Sequence, residues 1–395
     1  MVRQEKVILV VNPGSASRKY ALYQNQSLLG SLHFEFNDQK IVAYLDFNKK
    51  RQKIDVSLDK IEESLGVVPG IFEHFGVIPN GRMINAAVLR IVAPGDYFTK
   101  SRLVDDSFMA ELNSITEDAP LHVPSVKKEL ALLKKAFPKL PVVAVSDSAF
   151  HANRARVMNH YAISPGLAKK HGIKRFGFHG FSVASIAQHL KSNNLLTDKV
   201  IVAHLGSGSS VTALYRGESL DNSMGFSPLE GLAMATRSGD IDIMAALSIK
   251  RHLGLTDSGL ISYLNKKSGL FGLSGKSGDL RDLLALRNDG DESASLAVAL
   301  FSHRVQGMIG RMAAELNGVD ALVFTGTVGQ RSEEIRRSIV SKLTYLGFSI
   351  DPVKNLVEVE SGRKVISGDS SKPIYAIATD EASQMVLAAQ EVLAT

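Results

Sequence analysis

Short apolar runs alternate along this chain with segments whose apolar residues recur every three or four positions. The short runs predict buried strands, and the three- and four-residue spacing predicts helices that cover a sheet. The predicted strands are β-branched and mainly apolar: Val7–Val11, Val88–Val92, Val142–Val145, Val200–Ala203, Ala321–Phe324 and Ile374–Ile377. Strands that alternate with helices indicate an α/β protein.

Two other patterns extend this picture. The stretches Ser31–Phe36 and Ile41–Phe47 alternate between polar and apolar residues, which predicts antiparallel strands added to a sheet. The longest helical pattern runs from Glu292 to Leu316 and stops at Asn317-Gly318, a pair that commonly ends a helix. This helix is a candidate either for packing between subunits or for the core of one chain.

An internal repeat suggests two related domains. Ile8 to Tyr23 (ILVVNPGSASRKYALY) aligns without a gap with Val200 to Tyr215 (VIVAHLGSGSSVTALY), with seven identical residues in sixteen. Both copies predict a strand, a Gly-Ser-x-Ser turn and a second strand. Glycine lets backbone N–H groups approach an anion and serine adds donors, so both turns suit phosphate, although ordinary hairpin turns share this composition.

A third glycine-rich segment, Thr325 to Gly329, follows the strand Ala321–Phe324 and precedes a predicted helix start at Ser332 to Arg337. A strand, a glycine turn and a helix start commonly contact nucleotides. Two standard signatures fail, because Gly275-Lys276-Ser277 lacks the first P-loop glycine and Gly206 to Val211 lacks the third glycine of a dinucleotide fingerprint.

Composition excludes several classes of protein. The 395 residues contain no cysteine, which excludes disulfides, a thiol nucleophile and a Cys-ligated zinc site. The net charge of +6 is scattered, so no nucleic-acid partner is expected. The apolar run Val7–Val11 is too short for a secretory signal, and no run reaches the length of a membrane span. We therefore expect a cytoplasmic protein with no membrane partner.

Four local clusters combine charge with apolar neighbours, and each has a structural as well as a catalytic interpretation. Arg90 lies inside an apolar run and needs an anionic partner there. Asp147 follows the strand Val142–Val145, and His179 lies between aromatic residues and glycines. Arg237 and Asp240 share one short polar segment. A structural ion pair for Arg90 and a core position for His179 are the commoner explanations, Asp240 is also explained by a helix start, and no single cluster identifies a reaction.

Taken together and in this order, these clusters resemble those of the acetate kinase family. The motifs that carry the resemblance span essentially the whole chain: Asn12–Lys19, Ala119–His122, Asp147–His151, Phe176–Gly180, Pro228–Leu232 and Arg237–Asp242. The resemblance implies duplicated ribonuclease-H-like (actin-like ATPase) domains flanking an active-site cleft. The implied domains are 1–151 with 381–395, on the acyl and phosphate side, and 152–380, on the nucleotide side.

The resemblance also implies a reaction: reversible phosphoryl transfer from ATP to acetate, with propionate as another acceptor, giving acetyl phosphate and ADP. By similarity, Asp147, His179 and Arg237 are catalytic. Arg90 holds the acceptor carboxylate. The acyl group then lies in an apolar pocket whose residues are Val92, Leu121, Phe178 and Pro228.

The remaining implied sites hold nucleotide and metal. Asn12 and Glu381 match positions linked to Mg²⁺, for which Mn²⁺ would substitute, and Lys19 matches a contact to the nucleotide phosphates. The other nucleotide residues form three short stretches: His204, Leu205, Gly206, Ser207 and Gly208; Asp279, Leu280 and Arg281; Thr327, Val328, Gly329, Gln330 and Arg331. The family resemblance further implies a homodimer.

Departures from the family pattern concentrate on the donor side. Thr327 stands where the family usually has glycine, which narrows the expected adenosine turn, and Arg331 adds positive charge there. Two alternatives therefore stay open: the same acyl chemistry with a different donor such as pyrophosphate, or a catalytically impaired binding or regulatory protein.

Overall fold

The computed structural model describes residues 6–13, 17–37, 40–78, 83–117, 119 and 123–394. The chain divides into two compact units. Unit 1 comprises residues 1–149 and 381–395, and unit 2 comprises residues 150–380. The boundary therefore falls two residues before the one expected from the sequence, and the functions assigned to the two domains stay predictions.

Unit 1 is an α/β unit. Its strands are β1 Val7–Pro13, β2 Ser17–Gln24, β3 Ser27–Asn37, β4 Lys40–Phe47, β5 Lys50–Ile54, β6 Ile84–Ile91, β7 Arg102–Leu103 and β8 Val142–Ser146. Its α-helices are α1 Ser64–His74, α2 Asp106–Ser114, α3 Val123–Ala136 and, from the end of the chain, α13 Glu381–Ala394. Short 3₁₀ helices lie at Ile61–Glu63 and Asp96–Thr99, and a third, Ala149–His151, spans the junction with unit 2.

The described strands of unit 1 form one mixed sheet in the order β5-β4-β3-β2-β1-β6-β8-β7. Strands β1, β6 and β8 are parallel, whereas β1 to β5 form an antiparallel meander. Leu9 and Val11 of β1 belong to a core that includes Leu65 of α1 and Leu130 of α3. Helix α13 packs on β1, β6 and β8, so it covers the parallel part of the sheet.

Unit 2 contains the remaining elements. Its strands are β9 Lys199–Leu205, β10 Ser209–Tyr215, β11 Glu218–Asn222, β12 Ala321–Thr325, β13 Arg363–Val365 and β14 Ile374–Ile377. Its α-helices are α4 Pro165–His171, α5 Gly180–Ser192, α6 Ile243–His252, α7 Asp257–Lys266, α8 Gly269–Ser274, α9 Leu280–Asn288, α10 Glu292–Glu315, α11 Gly326–Arg331 and α12 Glu333–Val340. Two 3₁₀ helices lie at Arg156–Asn159 and Thr344–Leu346.

The sheet of unit 2 repeats the connectivity of unit 1. Its order is β11-β10-β9-β12-β14-β13, with β9 and β10 antiparallel and β9, β12 and β14 parallel. The hairpin β9–β10 therefore corresponds to β1–β2, and β12 and β14 correspond to β6 and β8. The six described strands of unit 2 thus follow the order of six of the eight described strands of unit 1, which confirms the duplicated α/β fold that the internal repeat predicts.

Helices cover both faces of the second sheet. Val183 and Ile186 of α5 pack with Val200 and Val202 of β9, while Phe301 of α10 packs with Ile201 on the opposite face. The buried apolar residues of α10 therefore belong to the core of unit 2, whereas Leu296 is exposed. Among the described residues, no helix combines the length and apolar character required to cross a lipid bilayer.

The structure corrects two local predictions. The strand predicted at Val88–Val92 runs instead from Ile84 to Ile91, so Val92 lies just beyond it. The glycine turn predicted at Thr325 to Gly329 is the short helix α11, which starts directly at Gly326. Gly326 has a φ of 76°, and a Cβ atom there would lie 2.5 Å from the carbonyl oxygen of Leu205. Glycine therefore allows the chain to enter a helix without an intervening turn.

Candidate active site

In unit 1, three polar side chains lie at the carboxyl ends of neighbouring parallel strands. Asn12 is near the end of β1, Arg90 is near the end of β6, and Asp147 directly follows β8. The carboxyl ends of parallel strands share one edge of a sheet, which is where open α/β folds bind ligands. Glu381 joins this group because it is the first residue of α13, which packs on the same strands.

These four residues form a charged cluster, here called the Arg90 cluster. Nη1 of Arg90 donates to Oε2 of Glu381 at 3.1 Å, and Nδ2 of Asn12 lies 3.5 Å from the same oxygen. Asp147 is buried, with 1% of its surface exposed, and its backbone N–H donates to the carbonyl of Ile91. Burial acts to lower the pKa of Arg90, but the carboxylates of Asp147 and Glu381 outweigh it and raise that pKa. Arg90 thus has the anionic partner that its apolar surroundings require.

The other predicted residues of unit 1 are more scattered. Val92 lies two residues after Arg90 and is partly exposed. Lys19 is an exposed residue of β2, and its strand register places it opposite Asn12. Leu121 lies outside the described residues.

In unit 2, His179 and Arg237 meet at the second glycine turn. A Cβ atom built on Gly208 would lie 3.3 Å from Nε2 of His179 and 3.7 Å from Nη1 of Arg237. His179 adopts the left-handed backbone conformation, with a φ of 59°, directly before α5. Its Nδ1 lies 2.9 Å from Oγ of Ser210. An imidazole and a guanidinium group therefore lie beside a turn with exposed backbone.

Neighbouring groups fix both side chains. The rings of His179 and His204 are 4.2 Å apart between centroids, and Nδ1 of His204 lies 2.7 Å from Oγ of Ser182. Nη1 of Arg237 donates to the carbonyl of Pro228 at 3.2 Å. Pro228 and Phe178, the two predicted acyl-pocket residues of unit 2, are both buried.

A pocket of about 620 Å³ opens beside the same turn. Eight predicted nucleotide residues line it: Gly206, Ser207, Asp279, Leu280, Arg281, Thr327, Val328 and Arg331. Of the other predicted residues, His204 and Gly208 lie near His179 as described above, and Leu205 is fully buried in the core. Gly329 accepts a hydrogen bond from Arg336, and Gln330 accepts one from Val359, so their backbone carbonyls bond within unit 2.

Sequence reasoning missed six residues that line this pocket: Ala235, Leu270, Gly278, Leu284, Ser332 and Glu358. Three of them adjoin predicted residues, since Gly278 precedes Asp279, Ser332 follows Arg331, and Leu284 is one helical turn after Leu280. Extending each predicted stretch by a few residues along the chain would have found these three. Ala235 and Glu358 come from loops whose position no local pattern indicates.

The donor set of the Arg90 cluster suits a hard divalent cation. Mg²⁺ prefers carboxylate and amide oxygens and usually keeps one or two protein carboxylates together with water and substrate phosphates. Asn12, Asp147 and Glu381 provide such oxygens around one guanidinium group. No group of three His, Cys, Asp or Glu side chains with the spacing of a metal site occurs within the described ranges. The cluster therefore fits a cation held jointly with substrate and does not fit a preformed cage.

Comparison with known proteins gives one consistent result. The model of the acetokinase family matches residues 7–388. The acetate kinase of Caldanaerobacter subterraneus subsp. tengcongensis is 38% identical over 387 residues, covering 95% of this chain and 96% of the relative. The acetate kinase of Methanosarcina thermophila is 36% identical over 399 residues.

Solved structures agree. A propionate kinase from Francisella tularensis subsp. tularensis superposes with a TM-score of 0.85 at 34% identity, covering 97% of this chain and 98% of that one. The acetate kinase of Porphyromonas gingivalis superposes with a TM-score of 0.82 at 30% identity, covering 98% of this chain and all of the other.

The duplicated fold, the glycine turn beside His179 and Arg237 and these comparisons together indicate a phosphotransferase of the actin-like ATPase class. Within that class, the chain belongs to the acetokinase family, whose members use a carboxyl group as phosphoryl acceptor.

Proposed function

We propose that this chain catalyses reversible phosphoryl transfer from ATP to acetate, giving acetyl phosphate and ADP. The observation that carries the proposal is the placement of His179 and Arg237 around Gly208, beside a pocket large enough for a nucleoside. Similarity to acetate kinases over nearly the whole chain supports it.

Arg90 is proposed to bind the acceptor carboxylate. Despite burial, the charges of Asp147 and Glu381 raise its pKa, and the hydrogen bond to Glu381 fixes the direction of the guanidinium group. Because the acceptor is already ionised at pH 7, the reaction needs no strong general base. We therefore propose that Asp147 would orient either the guanidinium group or magnesium-bound water, rather than remove a proton.

His179 and Arg237 are proposed to stabilise the phosphoryl group during transfer. Phosphoryl transfer depends mainly on position and on neutralising charge on the moving oxygens. Arg237 presents a planar fork of donors, and His179 has Nδ1 beside Ser210 and Nε2 beside Gly208. Val92, Leu121, Phe178 and Pro228 are proposed to surround the acyl group.

Mg²⁺, or Mn²⁺ in its place, is proposed to be held by Asn12 and Glu381 together with the nucleotide phosphates. When bound, the cation neutralises charge on the phosphate oxygens. Lys19, opposite Asn12 in the strand register, is proposed to contact those phosphates as well.

ATP is favoured over pyrophosphate by the walls of the pocket. Its lining includes the partly exposed Leu284 and Val328, whose apolar surface a nucleoside would cover and pyrophosphate would leave exposed. A donor screen tests this: acetate with ATP, GTP or pyrophosphate, with acetyl phosphate trapped as the hydroxamate. ATP is expected to give the highest rate. If pyrophosphate were the only donor that gave turnover, ATP would not be the donor. If the donors bound but none gave turnover, the proposed enzymatic activity would be refuted.

Propionate is the second candidate acceptor, because the propionate kinase from Francisella tularensis superposes closely on this chain. Comparing kcat/KM for the two acids at saturating ATP decides between them. The cytoplasm, where ATP is produced, is the proposed compartment.

A homodimer formed through α6 is also proposed. Ile243 and Met244 are 68% and 61% exposed and Leu247 is 41% exposed, so α6 presents an apolar face to solvent. Asp240 and Asp242 precede this face, and Arg251 follows it near the end of the helix. Two copies of α6 packed antiparallel around a twofold axis would bury the apolar face and set these opposite charges together.

Light scattering tests this assembly. Met244→Glu should convert a dimer to a monomer, whereas Val353→Glu, which changes an even more exposed apolar residue elsewhere in unit 2, should not. A dimer that survives Met244→Glu would refute this interface.

A further inference from the structure

Behind the segment that carries Pro228 lies a cluster of three polar side chains, Tyr161, Arg175 and Glu230. Nη1 of Arg175 donates to Oε1 of Glu230 at 2.7 Å. The hydroxyl of Tyr161 donates to Oε2 of the same carboxylate. We call this group the Glu230 clamp. Both carboxylate oxygens are thus occupied by donors from different segments of unit 2.

The clamp is connected to the backbone before Pro228, and its own member Glu230 lies two residues after Pro228. The hydroxyl oxygen of Tyr161 accepts a hydrogen bond from the backbone N–H of Phe226 at 2.8 Å. Nη2 of Arg175 donates to the backbone carbonyl of Asn222 at 2.8 Å. The clamp therefore holds the chain at positions 222, 226 and 230, which bracket Pro228.

The segment rests directly on these side chains. A Cβ atom built on Gly225 would lie 1.8 Å from Oε2 of Glu230 and 2.4 Å from the hydroxyl of Tyr161. Contact this close is possible only because residue 225 has no side chain. A shift of the clamp would therefore move the backbone of this segment.

One hydrogen bond connects Pro228 to Arg237, the residue proposed to hold the phosphoryl group. The carbonyl of Pro228 accepts from Nη1 of Arg237 at 3.2 Å. Pro228 thus links a proposed wall of the acyl pocket to the guanidinium proposed to hold the phosphoryl group. The clamp itself contacts neither Arg237 nor the nucleotide pocket through these bonds.

The charges within the clamp suit a fixed support rather than a proton carrier. Burial, together with the hydrogen bond from its hydroxyl to Glu230, raises the pKa of Tyr161, so the phenol remains a donor at neutral pH. The side chains of Arg175 and Glu230 are 11% and 25% exposed. A partly dry, charge-assisted pair of this kind has a well-defined geometry.

From this geometry we infer that Tyr161 and Arg175, acting through Glu230, are positioning residues that set the width of the acyl pocket at Pro228 and so the preference between small carboxylic acids. The inference rests on the proposed function, because it presumes that Pro228 borders the acceptor. It assigns the clamp no contact with substrate.

The test uses Tyr161→Phe in the full-length protein, with Tyr375→Phe as the matched control. Both remove a hydroxyl from a largely buried tyrosine of unit 2, but Tyr375 packs with the β9–α5 core. Tyr161→Phe leaves Phe226 N–H and one oxygen of Glu230 without this partner. We expect KM for acetate to rise about tenfold. KM for ATP should stay within about twofold, and the ratio of kcat/KM for acetate to that for propionate should change about fivefold.

A purely structural role would give a different result. In that case Tyr161→Phe would lower the melting temperature and the active fraction, with both KM values and the preference between acids unchanged, and the inference would be overturned. Arg175→Lys keeps the charge but cannot hold Glu230 and Asn222 together, so it should move the acid preference in the same direction. If the unmodified protein phosphorylates neither acid, the proposed function fails, and that outcome is distinct from a failure of the clamp.

Discussion

Two neighbouring regions of unit 2 are built differently. The segment that carries His179 is held by the buried Asn222, whose amide bonds to both the N–H and the carbonyl of Phe178. Arg237 is held by its hydrogen bond to the carbonyl of the buried Pro228. The nucleotide pocket instead includes exposed side chains such as Thr327 and Arg331. A rigid support suits groups that must match a transition state, whereas an open pocket suits a substrate that enters and leaves. Substitutions in the first region should therefore reduce kcat, and substitutions in the second should change KM for the donor.

The largest effect is expected for Arg237→Ala. Removing a preorganised cation from the moving phosphoryl group should lower kcat by about 10³-fold, with KM for ATP little changed. Steady-state rates with the hydroxamate assay measure this. Arg216→Ala is the control, because Arg216 forms an exposed ion pair with Asp198 and should keep full activity. Full activity in Arg237→Ala would remove Arg237 from the mechanism.

A smaller effect is expected in unit 1, where Arg90 is held in place by Glu381. Arg90→Ala should raise KM for acetate and lower kcat/KM by about 10²-fold, because the carboxylate loses its cationic partner. KM for ATP should remain near its normal value. Arg51→Ala, on the outer strand β5, serves as the control. Equal rises of both KM values would show that Arg90 supports the fold rather than the acceptor.

A third prediction concerns stability in the rigid region. His151 is 1% exposed, and its Nε2 and Nδ1 lie 3.0 Å from the carbonyl of Phe178 and 2.7 Å from Oγ of Ser219. Burial first, and then the charge of Arg154, lower the pKa of His151 to about 3. A histidine in the unfolded chain takes up a proton below about pH 6.5. The unfolded state therefore binds more protons between these two values, and stability falls as the pH drops from about 6.5 towards 3.

Urea denaturation at pH 6.5 and pH 5 measures the size of this effect. The unmodified protein should lose about 2 kcal/mol of unfolding free energy more than His151→Gln over this interval, because glutamine does not titrate. Identical pH slopes for the two proteins would show that His151 is not held neutral in the fold.

A structural feature can be predicted from this sequence when the residues that determine it are close together along the chain. Buried parallel strands such as β14, Ile374–Ile377, were predicted at their observed bounds because burial on both faces demands a continuous apolar run. The strand β5, Lys50–Ile54, was missed because an edge strand rich in Lys and Arg has no apolar signature. The glycine turn at residue 326 was misread because glycine can enter a helix directly as well as form a turn.

The sequence predicted which types of residue form the site, but it did not predict which of them contact each other. The apolar run around Arg90 indicated an anionic partner, yet Glu381 lies 291 residues later in the chain. Likewise, 69 residues separate Tyr161 from Glu230. Local patterns cannot identify partners at such distances, and the roles of the individual residues came from the family resemblance.

The smallest effect is expected in the open region, from Thr327→Gly. Oγ1 of Thr327 lies 3.3 Å from the position that a Cβ atom of Gly206 would occupy, so this side chain stands over the second glycine turn at the mouth of the pocket. Removing it should ease entry of the nucleoside and lower KM for ATP about twofold to threefold, with kcat and KM for acetate unchanged. Thr327→Ser, which removes only the methyl group, should give a smaller change in the same direction. Thr327→Gly could instead alter kcat and leave KM for ATP unchanged. The nucleotide pocket would then affect phosphoryl transfer as directly as the segments that hold His179 and Arg237. That result would contradict the proposed difference between the two regions.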